Sequence, residues 1–184
     1  MPIDRTLIRK ASNIYAKTLL EAVKAEDAVF VVSGELEQVL TTIRAHAGLR
    51  NTLTDRTLSE GFRSDLLREV FRGFNPILLE VLSVMLQRGE LNLLSRINER
   101  YIELAEEALS SIIIDVTTVV ELDDSLRDSI KKKYSAQFKK EVLLREHIDS
   151  SMVGGIVLSA HGNRIDASVS SQLENARNVL AEQW

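Results

Sequence analysis

From Leu7 to Leu109 the apolar positions of this chain recur every three or four places; from Ile112 onward, stretches that alternate every two places appear between them. Leu7, Ala11, Ile14 with Tyr15, Thr18 with Leu19, and Ala22 form the stripe of a first helix of about five turns. After a break at Glu26-Asp27, Val29, Val32, Leu36, Val39, Leu40 and Ile43 mark a second helix, which Gly48 is expected to end. The run Thr57-Leu58-Ser59-Glu60 has the form of a capping box, opening a helix with Leu58, Phe62, Leu66 and Val70 on one side. Asn75 followed by Pro76 reads as an N-cap with proline in the first turn, where its missing N–H costs nothing. That helix should run from Ile77 to Arg88 and stop at Gly89, and another carries Leu91, Leu94, Ile97, Tyr101 and Leu104 or Ala105 inward. Five or six helices with short turns make a bundle.

In the second part, "IIIDVTTVV" alternates Ile113, Asp115, Thr117 and Val119 with Ile112, Ile114, Val116 and Val120, as a half-buried strand does. Asp123-Asp124-Ser125 can cap a helix with Leu126, Ile130, Tyr134 and Phe138 on its stripe. "EVLLREHI" returns to strand character, and Gly155 to Ala160 and Arg164 to Ala167 form two more strands about a turn at His161-Gly162-Asn163. Ser168 can cap a final helix with Val169, Leu173, Ala176 and Leu180 on one side. The expected fold is therefore α+β. Residues 1–105 form a five- to six-helix bundle, 106–111 a linker or the end of its last helix, and 112–184 a small α+β domain with a short β-sheet.

Composition narrows the function. The 184 residues are 45% hydrophobic and 27% charged, with net charge -4, so the chain folds around a core but has no overall basic character to draw a nucleic acid. The first 105 residues hold 14 basic and 14 acidic side chains, so the helical part is no basic module either. Cysteine is absent, which removes disulfides and thiolate chemistry. No apolar run is long enough to span a bilayer, and "MPIDRTLIRKAS" reads as the start of an amphipathic helix rather than a secretory leader.

Candidate chemistry is sparse. Gly154-Gly155 enters a strand rather than a helix N-terminus and has no following lysine with serine or threonine, so it fits close backbone approach better than a phosphate loop. His46, His147 and His161 fall in three separate elements without the i, i+4 spacing of a metal pair. "VSSQL" lacks a glycine elbow for a nucleophilic serine. Asp166 suits the positive end of the final helix, and Lys131-Lys132-Lys133 reads as a solvated face that could also meet an acidic partner helix.

The residues His147 to Leu180 carry a resemblance. Ile148-Asp149, Ser151, Gly154-Gly155, Ile165-Asp166, Ser168-Val169 and Leu173 resemble the C-terminal signature of the ATP synthase delta subunit family, whose mitochondrial counterpart is the oligomycin-sensitivity-conferring protein. "YAKTLLEAV" is similar to that family's first-helix motif, and "VMLQRGELNLL" to the passage from its fifth to its sixth helix, so the resemblance covers essentially the whole chain. Two departures stand out: His161 where a hairpin glycine is usual, with Gly162 one place later, and Gly89-Glu90 where a glycine and a basic residue are common. The first touches the turn type and the second a local contact.

The resemblance implies a non-catalytic stator subunit of a rotary proton-translocating ATP synthase, with no metal, cofactor or active site. The helical part would bind N-terminal helices of the alpha subunits in a groove formed by Tyr15, Thr18 and Leu19 of the first helix and Val81, Val84 and Met85 of the fifth. The C-terminal part would meet the C-terminus of the b-subunit peripheral stalk, with Gly154, Gly155, Asp166 and Ser168 as architecture. No nucleic acid is implied, and the membrane, a bacterial inner membrane at its cytoplasmic face, would be reached only through the complex. Each groove residue has a plainer reading as core. A helical adaptor or regulator of another complex is the alternative function, with a small nucleotide-dependent enzyme and a helical transcription regulator further behind.

Overall fold

The computed structural model describes residues 5–160 and 163–181, and the chain divides between Glu107 and Ala108 into two compact units. The first holds six helices: α1 (Arg5–Lys24), α2 (Val29–Ala45), α3 (Ala47–Thr54), α4 (Glu60–Val70), α5 (Pro76–Arg88) and α6 (Leu94–Leu109, which crosses the division), with a 3-10 turn at Leu91–Leu93. Local chemistry sets several of the ends. The Asn75 side chain accepts the Ile77 N–H ahead of Pro76, while Gly89, at φ +69°, closes α5 in the left-handed conformation that glycine adopts without strain. Glu35 from α2 accepts the Asn75 N–H at 2.9 Å through Oε2, tying the start of α5 to the bundle.

Leu19, Val23, Val32, Leu36, Leu53, Leu67, Leu78, Leu82, Met85 and Ile97 fill the interior without measurable exposure or nearly so. Side chains of this kind stabilise by about 1.5–3 kcal/mol each when fully buried. Tyr101 lies among them, and its hydroxyl donates to the Val29 carbonyl at 3.1 Å, which satisfies the one polar atom it takes inside. Of Leu104 and Ala105, it is Ala105 that is buried.

Three expectations for this unit need correction. Gly48 does not end the second helix: α2 stops at Ala45, His46 is extended at φ -113° and ψ 90°, and Gly48 sits inside α3. Thr57 is not a cap, because its hydroxyl and N–H both donate to Asp55 Oδ1, at 2.7 and 2.8 Å; Ser59 caps α4 instead, accepting from the Phe62 N–H. The α4 stripe is also rotated by one residue. Arg63, Leu67 and Phe71 face inward, leaving Phe62 and Val70 exposed and Leu66 at the margin. A charged side chain on the inner row hid this phase: Arg63 Nη1 reaches the Leu53 and Leu86 carbonyls at the ends of α3 and α5.

The second unit runs β1 (Ser111–Thr118), α7 (Asp124–Phe138), β2 (Glu141–Ile148), β3 (Gly155–Ala160), β4 (Asn163–Ser168) and α8 (Val169–Ala181). The sheet order is β2-β1-β3-β4, with β1 and β2 parallel and the other pairs antiparallel. Parallel neighbours need a crossover, and α7, capped by Asp123, supplies it. Ile112, Ile114 and Val116 of β1 pack with Leu122, Ile130, Tyr134 and Val142 as one core.

Here too the ordered and buried stretches are narrower than the apolar pattern predicts. Val120 lies past the end of β1 and is exposed, and Leu126 is more exposed than buried positions of α7 such as Ile130. His161 and Gly162 of the expected turn lie outside the described residues; Asn163 opens β4. The stripe of α8 is not core: Val169, Leu173 and Ala176 are all exposed, while the Leu180 side chain lies outside the described residues.

Candidate partner-binding surfaces

Helix α1 has two apolar faces. Ala16, Leu19, Leu20 and Val23 form the one that enters the core. The stripe anticipated from the sequence is mostly the other one: Leu7 and Ile14 are each 63% exposed, Thr18 is exposed, and Tyr15 is half-buried. Helix α5 packs beside α1, and its Val81 is half-buried while Val84 is 41% exposed. Of the six groove residues, Leu19 and Met85 are wholly buried and lack accessible side-chain surface, since they project into the core. Tyr15, Thr18, Val81 and Val84 are the four that reach the surface.

The Tyr15 hydroxyl donates to Glu90 Oε2 at 2.5 Å, and Arg88 Nε stands 3.3 Å from the same carboxylate oxygen. Partial burial, then the bond and charge of Glu90, push the phenol up to about 12. The departure at Glu90 is thus used locally: a carboxylate holds the Tyr15 ring at the edge of the α1–α5 face. The sequence offered no signal of it, because the two residues are 75 apart in the chain.

In the second unit Gly155 lies opposite Ser168 in the β3–β4 pair. A Cβ on Gly155 would stand 2.5 Å from the Ala167 carbonyl oxygen, so the glycine permits close backbone approach and forms no phosphate cradle. Gly154 accepts the Val169 N–H at 3.0 Å through its carbonyl, at the start of α8. Asp166 Oδ1 accepts the Ser168 N–H at 3.0 Å, and Ser168 Oγ accepts the Ser171 N–H at 3.2 Å. Bonds from Ser168, with smaller help from Ser171 and Arg164, hold the Asp166 carboxyl down at about 2. These four residues build the entry to α8 and leave its apolar side facing outward.

A polar pair unseen in the sequence lies on the sheet. Asp115 faces Arg145 across β1 and β2, with Nε and Nη2 of the arginine on its two oxygens, the latter at 2.9 Å, and His147 Nε2 is 3.3 Å from Oδ1. Burial opposes the Asp115 charge, but the bonds and charges of His147 and Arg145 prevail and hold the carboxyl below its ordinary value. Among the described residues no group of acidic and histidine side chains is placed to hold a metal ion, and no helix is long and apolar enough to cross a membrane.

The model of the ATP synthase delta (OSCP) subunit family matches residues 11–180. An ATP synthase subunit delta of Prochlorococcus marinus (strain MIT 9515) is 31% identical over 169 residues, covering 91% of this chain and 94% of the relative. One from Rhodopirellula baltica is 27% identical over 90% of this chain and 74% of its own. A chain in the cryo-EM structure of the Toxoplasma gondii mitochondrial ATP synthase hexamer shares the fold, with TM-score 0.52 and 17% identity over 92% of this chain and 97% of that one. A bundle followed by a small mixed sheet, a glycine at Gly155 that admits the β4 backbone, and a match running from the first helix to the last agree with one another: the chain belongs to the ATP synthase delta (OSCP) subunit family.

Proposed function

We propose that this protein is the stator subunit joining the catalytic head of a rotary ATP synthase to its peripheral stalk, without an active site of its own. The observation that carries the reading is the second apolar face of α1. Leu7, Ile14 and Thr18, with Val81 and Val84 of α5, leave an exposed apolar strip at helical spacing, which suits the apolar side of an incoming amphipathic helix. The occupant is the N-terminal helix of an alpha subunit. Small Thr18 at the centre lets the partner backbone approach, and Leu19 and Met85 support the floor from beneath.

The exposed side of α8, through Val169, Leu173 and Ala176, serves as the contact for the C-terminus of the b-subunit stalk. Two separate grips on one subunit suit a part that must resist torque. The protein is thereby held at the cytoplasmic face of a bacterial inner membrane through its partners.

Calorimetric titration with a peptide of the alpha-subunit N-terminal helix tests this. Saturable binding that Thr18→Trp weakens, in a variant that still unfolds cooperatively, is the expected result. No binding by well-folded protein would remove the α1–α5 face as the principal contact with the head.

A further inference from the structure

The opposite flank of α1 has a different chemistry. Arg9 precedes Thr18 by nine residues, two and a half turns at about 3.6 residues each, so the two point to opposite sides of the helix. There α1 and α6 enclose an open cleft of about 910 Å³, walled by Thr6, Arg9, Lys10 and Asn13 on one side and by Ser95, Arg96, Glu99 and Arg100 on the other. Arg44 of α2 joins its rim by donating to Ser95 Oγ at 2.9 Å.

The charges here are unbalanced. Arg100 and Glu103 neutralise each other at 2.5 Å, and Arg100 Nε is further engaged by Asn13 at 2.9 Å. Arg9, Lys10, Arg44 and Arg96 have no carboxylate partner among the described residues, and Glu99 is the one acid in the cleft wall besides Glu103. This excess of cations sits in a unit that as a whole holds 14 basic against 16 acidic side chains. Ser12 lies beneath the cleft wall with its hydroxyl wholly buried, so the accessible polar surface of the cleft is that of the cations, Asn13, Ser95 and Glu99.

We propose that the α1–α6 cleft docks an acidic segment of a partner protein. Carboxylates at successive turns of that segment meet Arg9, Lys10 and Arg96, with Ser95 as a hydroxyl donor. The cations are divided between two helices around an open cleft of this volume, which suits an extended acidic segment better than a single small anion. A polyanionic nucleic acid is disfavoured by the chain's net charge of -4. Glu99 sets the register, since it repels an acid placed opposite and favours a neutral or basic residue there. The site is independent of the α1–α5 face and stands or falls separately from it.

The test uses the full-length protein and a labelled amphipathic helical peptide with glutamate along its polar face, compared with the same peptide carrying glutamine instead, followed by fluorescence anisotropy. The glutamate peptide is expected to bind about tenfold tighter or more, and to lose that advantage between about 50 and about 300 mM salt. Arg9→Glu combined with Arg96→Glu, both exposed and so compatible with folding, should remove the difference; Arg9→Gln with Arg96→Gln should reduce it; Thr18→Trp should leave it intact. Equal affinity for the two peptides, an unchanged difference in the charge-reversed variant, or loss in Thr18→Trp would overturn the proposal. So would an oligonucleotide of equal charge binding as tightly and competing for the same residues.

Discussion

Gly155 and Ser168 face each other across β3 and β4 at a separation that allows no side chain on the glycine: a Cβ there would lie 2.7 Å from the Ser168 Cα and 2.5 Å from the Ala167 carbonyl oxygen. Both obstacles are backbone, which cannot rotate away, and the Gly155 φ of +89° disfavours any other residue independently of space. Gly155→Val should therefore destabilise the second unit by about 3 kcal/mol or more, combining strain and steric overlap. Denaturant unfolding followed by far-UV circular dichroism would show it. A loss below about 1 kcal/mol would mean that the β3–β4 pair opens readily to admit the side chain.

Tyr15 offers a spectroscopic readout of the α1–α5 face. Its phenol should ionise at about 12 in an absorbance titration near the tyrosinate band, because burial and then Glu90 disfavour the phenolate. Glu90→Gln removes the carboxylate charge while retaining a hydrogen-bond acceptor, so the midpoint should fall toward the ordinary value of about 10 without reaching it. The sign for stability follows. A raised folded value contributes stability that is present below about 10 and is lost as pH rises toward 12.

How far the sequence reveals this fold depends on what each side chain has to do. Asn75-Pro76 and Gly89 were legible because capping is local, and the strands of the second unit were legible because period two has few competing causes. The α4 phase was not legible, since Arg63 occupies an inward position that apolar counting assigns to solvent. On α1 and α8 the apolar residues do form a stripe, yet much of it lies at the surface. Periodicity identifies a face that avoids water and cannot say whether the same chain or another one covers it. The α1–α6 cleft is not legible for the converse reason: Arg9, Lys10 and Arg96 look like ordinary solvated positions until α1 and α6 are brought together.

Asp115 and Arg145 should make the second unit sensitive to acid. The Asp115 carboxyl lies below its ordinary value in the folded chain, so the stability it contributes is present above the unfolded value of about 3.9 and is lost as pH falls through the folded one. Asp115→Asn should cost about 2–3 kcal/mol near neutral pH, because Arg145 is buried and loses a two-pronged acceptor. The variant should also show a flatter acid limb in a plot of stability against pH. A parallel limb in both proteins would exclude Asp115 as the titrating group.

Arg63 separates two effects that usually act together. Its guanidinium is buried, its two bonds to the Leu53 and Leu86 carbonyls are long at 3.4 Å, and its Nε has no partner among the described residues. Such bonds return little for the cost of taking a charge out of water, and an apolar chain of similar length recovers that cost. Arg63→Met should accordingly remain within about 1 kcal/mol of the parent, while Arg63→Ala, which leaves the space empty, should lose about 2–3 kcal/mol. Equal large losses in both variants, measured by urea unfolding, would instead show that the guanidinium itself holds the ends of α3 and α5 together.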